Sequence, residues 1–155
     1  MARLAPDASE ALRLAARAHH VRRWAIARSD YPEGRVAYHR WRRALQHLHA
    51  DTVAEILTTE GYEQAMIERV RGLVLKRGLG KEPEVQVLED ALCLVFLETQ
   101  LHDLSERYDA DKIVDILRKS LRKMSAAGIA CAGEIPLAES DAALLQRAAE
   151  LEQGE

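Results

Sequence analysis

Apolar residues recur at intervals of three and four along most of the chain, and each run ends at a turn signal. After Asp7-Ala-Ser-Glu10, which has the form of a capping box, Leu14, Ala18, Val21 and Ala25 trace a stripe that predicts a helix over about residues 8–27. Ser29 to Gly34 contains Pro32 and carries no periodicity, so it reads as a loop. From Arg35, the positions Tyr38, Trp41, Leu45, Leu48, Thr52 and Ile56 predict a second helix that stops before Gly61, either continuous or broken near its middle. Ala65, Ile67, Val70, Leu73 and Val74 mark a third helix, closed by Gly78-Leu-Gly80 and Pro83.

The fourth run, about residues 84–107, is apolar nearly all round from Leu88 to Leu97, as expected of a central helix wrapped by its neighbours. Ile113, Val114, Ile116, Leu117 and Leu121 predict a fifth helix over about 111–126 with Gly128 after its end. A short sixth is expected over about 139–152, with a fraying Gln-Gly-Glu tail. Strand-like alternation and internal repeats are absent. The expected fold is therefore all-α, a single-domain bundle of five to seven helices over 1–155, with its core in 6–128 and a C-terminal loop and short helix in 129–155.

Composition agrees with a globular domain: 48% hydrophobic and 30% charged residues suit a packed core, not a disordered chain. Cys93 lies inside an apolar run and Cys131 is far from it, so thiolate zinc sites and redox pairs are not expected. The N-terminal Met-Ala-Arg-Leu-Ala-Pro-Asp has no signal-peptide core, and no segment approaches the ~18 apolar residues of a membrane span, so the expectation is a cytoplasmic protein without a membrane. The net charge of −3 hides an asymmetry, because residues 1–50 carry ten Arg against four acids. Arginine suits bidentate capture of phosphate or carboxylate, although a GC-rich coding bias produces the same composition. Neither half is basic enough to imply nucleic acid.

Four polar residues interrupt the apolar stripes. Helical spacing puts His20 between Ala16 and Trp24, and His49 among Leu45, Val53 and Ile56. A buried imidazole without partners costs about 1–3 kcal/mol, so a lone one is usually a satisfied core residue. Glu89 and Asp90 both enter the most apolar helix, where a carboxylate needs a cation or must neutralise. The candidate cations are a metal ion or the Arg set of the first two helices. Imidazole with carboxylate suits Mn, Fe, Zn or Ni, and leaves room for water and an anionic substrate. An Arg-carboxylate network is the bland alternative. His19, His39, His47 and His102 read as solvated, His102 pairing with Glu98. His102-Asp103 and Lys123-Met124-Ser125 are chance resemblances to metal and synthetase motifs, and no Gly-rich phosphate loop or hydrolase elbow is present.

Ala18-His-His-Val-Arg-Arg-Trp24, Tyr31-Pro, Gly34-Arg35, Tyr38, Trp41-Arg42, His49-Ala50 and Leu88-Glu-Asp-Ala91 through Glu98 closely resemble a family of small proteins of unknown function over about residues 10–127. Some of its members carry a glutamyl-tRNA synthetase label. The order of elements also looks like the HD-type metal-dependent phosphohydrolases, all-helical domains that draw metal ligands from successive helices. That likeness implies His20 as the first histidine, His49 as a later one and Asp90, or Glu89, as the closing acid. The aspartate of a paired His-Asp is missing near His39-Arg40, so a dinuclear centre is not implied. The expectation is a hydrolase of a phosphorylated small molecule or nucleotide. His20, His49 and Asp90 would bind the ion, Glu89 would activate its water, and Arg23, Arg35 and Arg42 would grip the phosphate. The alternative is a non-catalytic module in which the same residues form a buried network and the Arg face binds an anionic ligand or partner.

Overall fold

A computed structural model describes residues 4–154. The first three residues of the N-terminal stretch and the last residue of the tail lie outside the described residues. All the regular structure described is helical: α1 Glu10–Ala18, α2 Arg35–Thr59, α3 Gln64–Val74, α4 Pro83–Thr99, α5 Leu101–Ser105, α6 Ala110–Leu121, α7 Ala126–Ala132 and α8 Glu139–Gln153, with 3-10 turns at Arg23–Ala25 and Arg28–Asp30. No helix among the described residues is long and apolar enough to cross a membrane. Asp7–Val85 forms one compact unit and the remainder of the chain another.

In the first unit, α1 and α2 both pack against α3. Ser9 caps α1 by accepting from the Leu12 N–H at 3.1 Å, and Ala11, Leu12, Ala15 and Ala18 are its buried stripe. The helix ends at Ala18, well short of residue 27, because Arg22 turns into the left-handed region (φ +52°) and Trp24 stands 80% exposed. An amphipathic pattern that continued through Val21 and Ala25 had no core to face. The second helix is continuous over 25 residues, and Trp41, Leu45, His49, Val53 and Leu57 form a buried ladder at successive i+4 steps. Its C-terminus is closed at Gly61, whose N–H bonds to the Thr58 carbonyl while that of Tyr62 bonds to Leu57. Glu82 caps α4, accepting from the Val85 N–H, with Pro83 in the first helical position.

In the second unit, Cys93, Leu97, Leu101, Ile113, Val114, Leu117, Leu121 and Met124 belong to one core with Ala132 and Ala148. The expected fourth helix divides at Gln100, giving α4 and α5, and the expected fifth ends at Leu121. Gly128 is not a helix stop. It lies in the first turn of α7, where an added Cβ would stand 2.7 Å from the Asp90 carboxyl carbon.

Candidate functional site

The end of α1 at Ala18 places His19 and His20 in a turn, beyond the helical face assumed for them. Together with His49 they form a cluster, with ring centroids 4.4 Å apart for His19 and His20, 6.4 Å for His19 and His49, and 6.1 Å for His20 and His49. His49, only 4% exposed, directs Nδ1 to the Val21 carbonyl oxygen at 2.7 Å. A carbonyl can only accept, so Nδ1 carries the proton and the neutral ring keeps its lone pair on Nε2. Val21 thereby ties the turn after α1 to the middle of α2.

The three rings line a cavity of about 320 Å³ whose other polar walls are Arg23, His39, Arg42, Arg43, Gln46 and Lys76. Leu45 and Val74 supply apolar floor. Arg23 is braced: its guanidinium lies 5.1 Å from the centre of the Trp41 ring, and Trp41 in turn donates from Nε1 to the Ile26 carbonyl at 3.1 Å. Arg42 and Arg43 project from α2, and Lys76 comes from the turn after α3. Among the described residues the lining holds no carboxylate.

The local field keeps the imidazoles neutral. Burial first, and then His20, Lys76, His49 and Arg42, lower the pKa of His19 to about 3. His20 is lowered by desolvation and then by Arg23, His49, Arg42 and Lys76. For His49 burial again leads, the bond to Val21 opposes it, and Arg23 and Arg42 add to the lowering. The cavity is thus a wall of fixed cations and neutral hydrogen-bonding rings, an environment suited to anions.

The sequence pattern of the family described as Domain of unknown function (DUF4202) matches residues 1–145. The chain belongs to this family. Neither a curated protein nor a solved structure matches it. The DUF4202 assignment carries no activity, so the chemistry of the site has to be argued from the geometry.

Of the residues expected in a site, His20, His49, Arg23 and Arg42 come together in this DUF4202 chain. Arg35, the first residue of α2, is exposed and outside the cavity lining. Glu89 and Asp90 are buried residues of α4 in the second unit. Asp90 accepts from the backbone N–H of Ser125 at 2.8 Å, from the Ser125 hydroxyl and from Gln86 Nε2 at 2.9 Å. Its carboxylate therefore has neutral hydrogen-bond donors of its own unit as partners, where an arginine or a metal was expected. His20 and His49, even with His19 beside them, do not form the expected donor set: among the described residues no three His, Cys, Asp or Glu side chains are arranged to hold an ion. His19, His39, Arg43 and Lys76, which line the cavity, were missed. The first was assigned to the outer side of a helix that ends before it, and Lys76 carried no periodic signal. His102 meets Asp141 at 2.9 Å and lies 3.8 Å from Glu106, where Glu98 was expected.

Proposed function

We propose that the Asp7–Val85 unit binds the phosphate of a small molecule or nucleotide in this cavity. The observation that carries the reading is the contrast between arginines of one unit. Arg69 bonds to Glu82 and Glu84, and Arg71 to Asp51 at 2.6 Å, whereas Arg42 and Arg43 face the cavity with no ion pair among the described residues. Converging cations repel, and a bound dianion with several acceptor oxygens offsets that repulsion while taking hydrogen bonds from guanidinium and imidazole. Binding asks nothing of Glu89 or Asp90. The hydrolase reading draws on Asp90 as a metal ligand, and the bonds Asp90 makes with Ser125 and Gln86 favour the binding reading.

Isothermal titration calorimetry with orthophosphate and with a phosphomonoester tests it. Saturable binding that weakens about tenfold or more in Arg42→Ala, and weakens with added salt, is the expected result. Absence of saturable binding, or binding indifferent to Arg42→Ala, would sink the proposal. Phosphate release from the monoester that appears only with Mn, Fe, Zn or Ni would favour the hydrolase reading instead.

A further inference from the structure

Two side chains in the α2 wall of the cavity have their hydrogen-bonding roles fixed by the backbone. His49 gives its Nδ1 proton to the Val21 carbonyl at 2.7 Å, and Gln46, three residues earlier on the same helix, donates from Nε2 to the Val74 carbonyl at 3.3 Å. A carbonyl has no proton to give, so neither bond can run the other way. His49 is left with the Nε2 lone pair and Gln46 with its amide oxygen, and both of these atoms accept. Among the described residues no protein donor is bonded to either.

An acceptor set among cations restricts what the cavity can hold. The guanidinium groups of Arg23, Arg42 and Arg43 only donate, and any oxygen of an anion satisfies them. His49 Nε2 is satisfied by a donor alone. A fully deprotonated anion would turn an oxygen lone pair towards it and leave the acceptor of a ring that is only 4% exposed unmet, which costs binding. Protonation of the ring would remove the conflict by making Nε2 a donor. Burial first, and then the charges of Arg23 and Arg42, oppose that protonation.

We propose that His49 makes the cavity selective for oxyanions that bring an O–H donor of their own, so that it takes a protonated phosphate or a hydroxylated organic phosphate and rejects anions that can only accept. This rests on the phosphate-binding reading above. The donor has two sources, a P–OH group or a hydroxyl on the carbon skeleton, and the test separates them.

Calorimetric titrations at about pH 8 and fixed ionic strength compare orthophosphate with sulfate, and glycerol 3-phosphate with propyl phosphate. Orthophosphate is then chiefly a dianion that keeps one P–OH, and sulfate is a dianion of the same shape without one. The two monoesters are dianions that differ in their carbon-borne hydroxyls. Wild type is expected to bind orthophosphate about tenfold or more tighter than sulfate, because a site built to bond a hydroxyl penalises the analogue that lacks it. Glycerol 3-phosphate binding about tenfold tighter than propyl phosphate assigns the donor to the carbon skeleton. Equal affinity of these two, both weaker than orthophosphate, assigns it to the phosphate proton; either supports the proposal. His49→Asn removes the acceptor while its amide nitrogen, near the place of Nδ1, can keep the bond to Val21. In this variant the ratio of orthophosphate to sulfate affinity is expected to fall below about threefold, a change that a uniform loss of affinity does not produce. Sulfate or propyl phosphate binding to wild type as tightly as orthophosphate would overturn the proposal and leave the phosphate reading intact, and this comparison needs no variant to fold. A folded His49→Asn variant that keeps the wild-type ratio would overturn it too. Absence of saturable binding by all four anions overturns the phosphate reading and this proposal with it.

Discussion

Gly128→Ala decides what Asp90 is for. An alanine Cβ at this position would lie 2.7 Å from Asp90 Cγ, 2.9 Å from Oδ1 and 3.0 Å from Cβ, all inside normal contact, and Asp90 is only 2% exposed. Two terms oppose each other. Alanine favours a helix by about 1 kcal/mol over glycine. Overpacking a buried site costs about 1–3 kcal/mol, and moving the carboxylate stretches a charge-assisted hydrogen bond to Ser125 or Gln86 worth about 1.5–3 kcal/mol. The expected net loss is about 2 kcal/mol, or roughly 4–8 °C in melting temperature for a chain of this size. Urea denaturation followed by circular dichroism measures it, in wild type and in an Asp90→Ala background. With the carboxylate removed, the contacts at 2.7 and 2.9 Å are gone and only the Cβ of residue 90, at 3.0 Å, has to give, so the same substitution is expected to cost less, by at least about 1 kcal/mol. A Gly128→Ala variant as stable as wild type, or one equally damaged in both backgrounds, would refute the assignment of Asp90 as the partner that holds the α7 N-terminus.

Two further outcomes follow from the basic cavity. The folded pKa of His19, at about 3, lies below the ordinary 6.5, so the unfolded chain binds more protons between these values and stability falls as pH drops through that window. One pH unit below 6.5, His19 alone is expected to remove about 1.4 kcal/mol, read as a shift in the urea midpoint that His19→Gln diminishes; a midpoint flat from pH 7.5 to 5 would contradict it. Arg43→Gln is expected to raise the melting temperature by about 1–3 °C in phosphate-free buffer, by relieving repulsion, and to reduce the further rise that orthophosphate produces in wild type. A fall in phosphate-free buffer would show that Arg43 holds the fold together.

Most of the secondary structure was legible because helical periodicity records the core directly. The stripe Tyr38, Trp41, Leu45, Leu48, Thr52 and Ile56 placed α2, and Leu45 and Val53 at four residues on either side marked His49 as its buried polar rung, although Tyr38 and Ile56 are exposed and Leu57 closes the buried ladder. The extent of α1 was not legible, since Val21 and Ala25 keep the period after the helix has ended, and only the turn at Arg22 stops it. That error hid His19, whose position depends on the turn and on the bond between His49 and Val21. The helix stop assigned to Gly128 failed for a different reason. Glycine marks both a left-handed cap and a place where another group approaches closely, and only the nearness of Asp90 separates the two. Lys76 was invisible because a cap position normally announces itself by glycine, and here the cap is a lysine.

The buried charges of the chain differ in how they are satisfied, and this bears on function. Asp90 is met by Ser125 and Gln86, and Asp141 by Ser105 at 2.6 Å and His102 at 2.9 Å, each within the second unit. Carboxylates satisfied in this way hold helices in place, because removing either partner would leave a buried charge without its bonds. The cavity of the first unit follows the opposite rule. Its arginines face it with no carboxylate in the described lining, its histidines are held neutral by burial first and then by the charges around them, and its lysine occupies a left-handed position that favours glycine. Each of these features weakens the fold taken alone, and an anion bound among them offsets the first two at once. The polar residues that bear on the proposed binding are therefore Arg42 and Arg43, which line the cavity with no ion pair among the described residues.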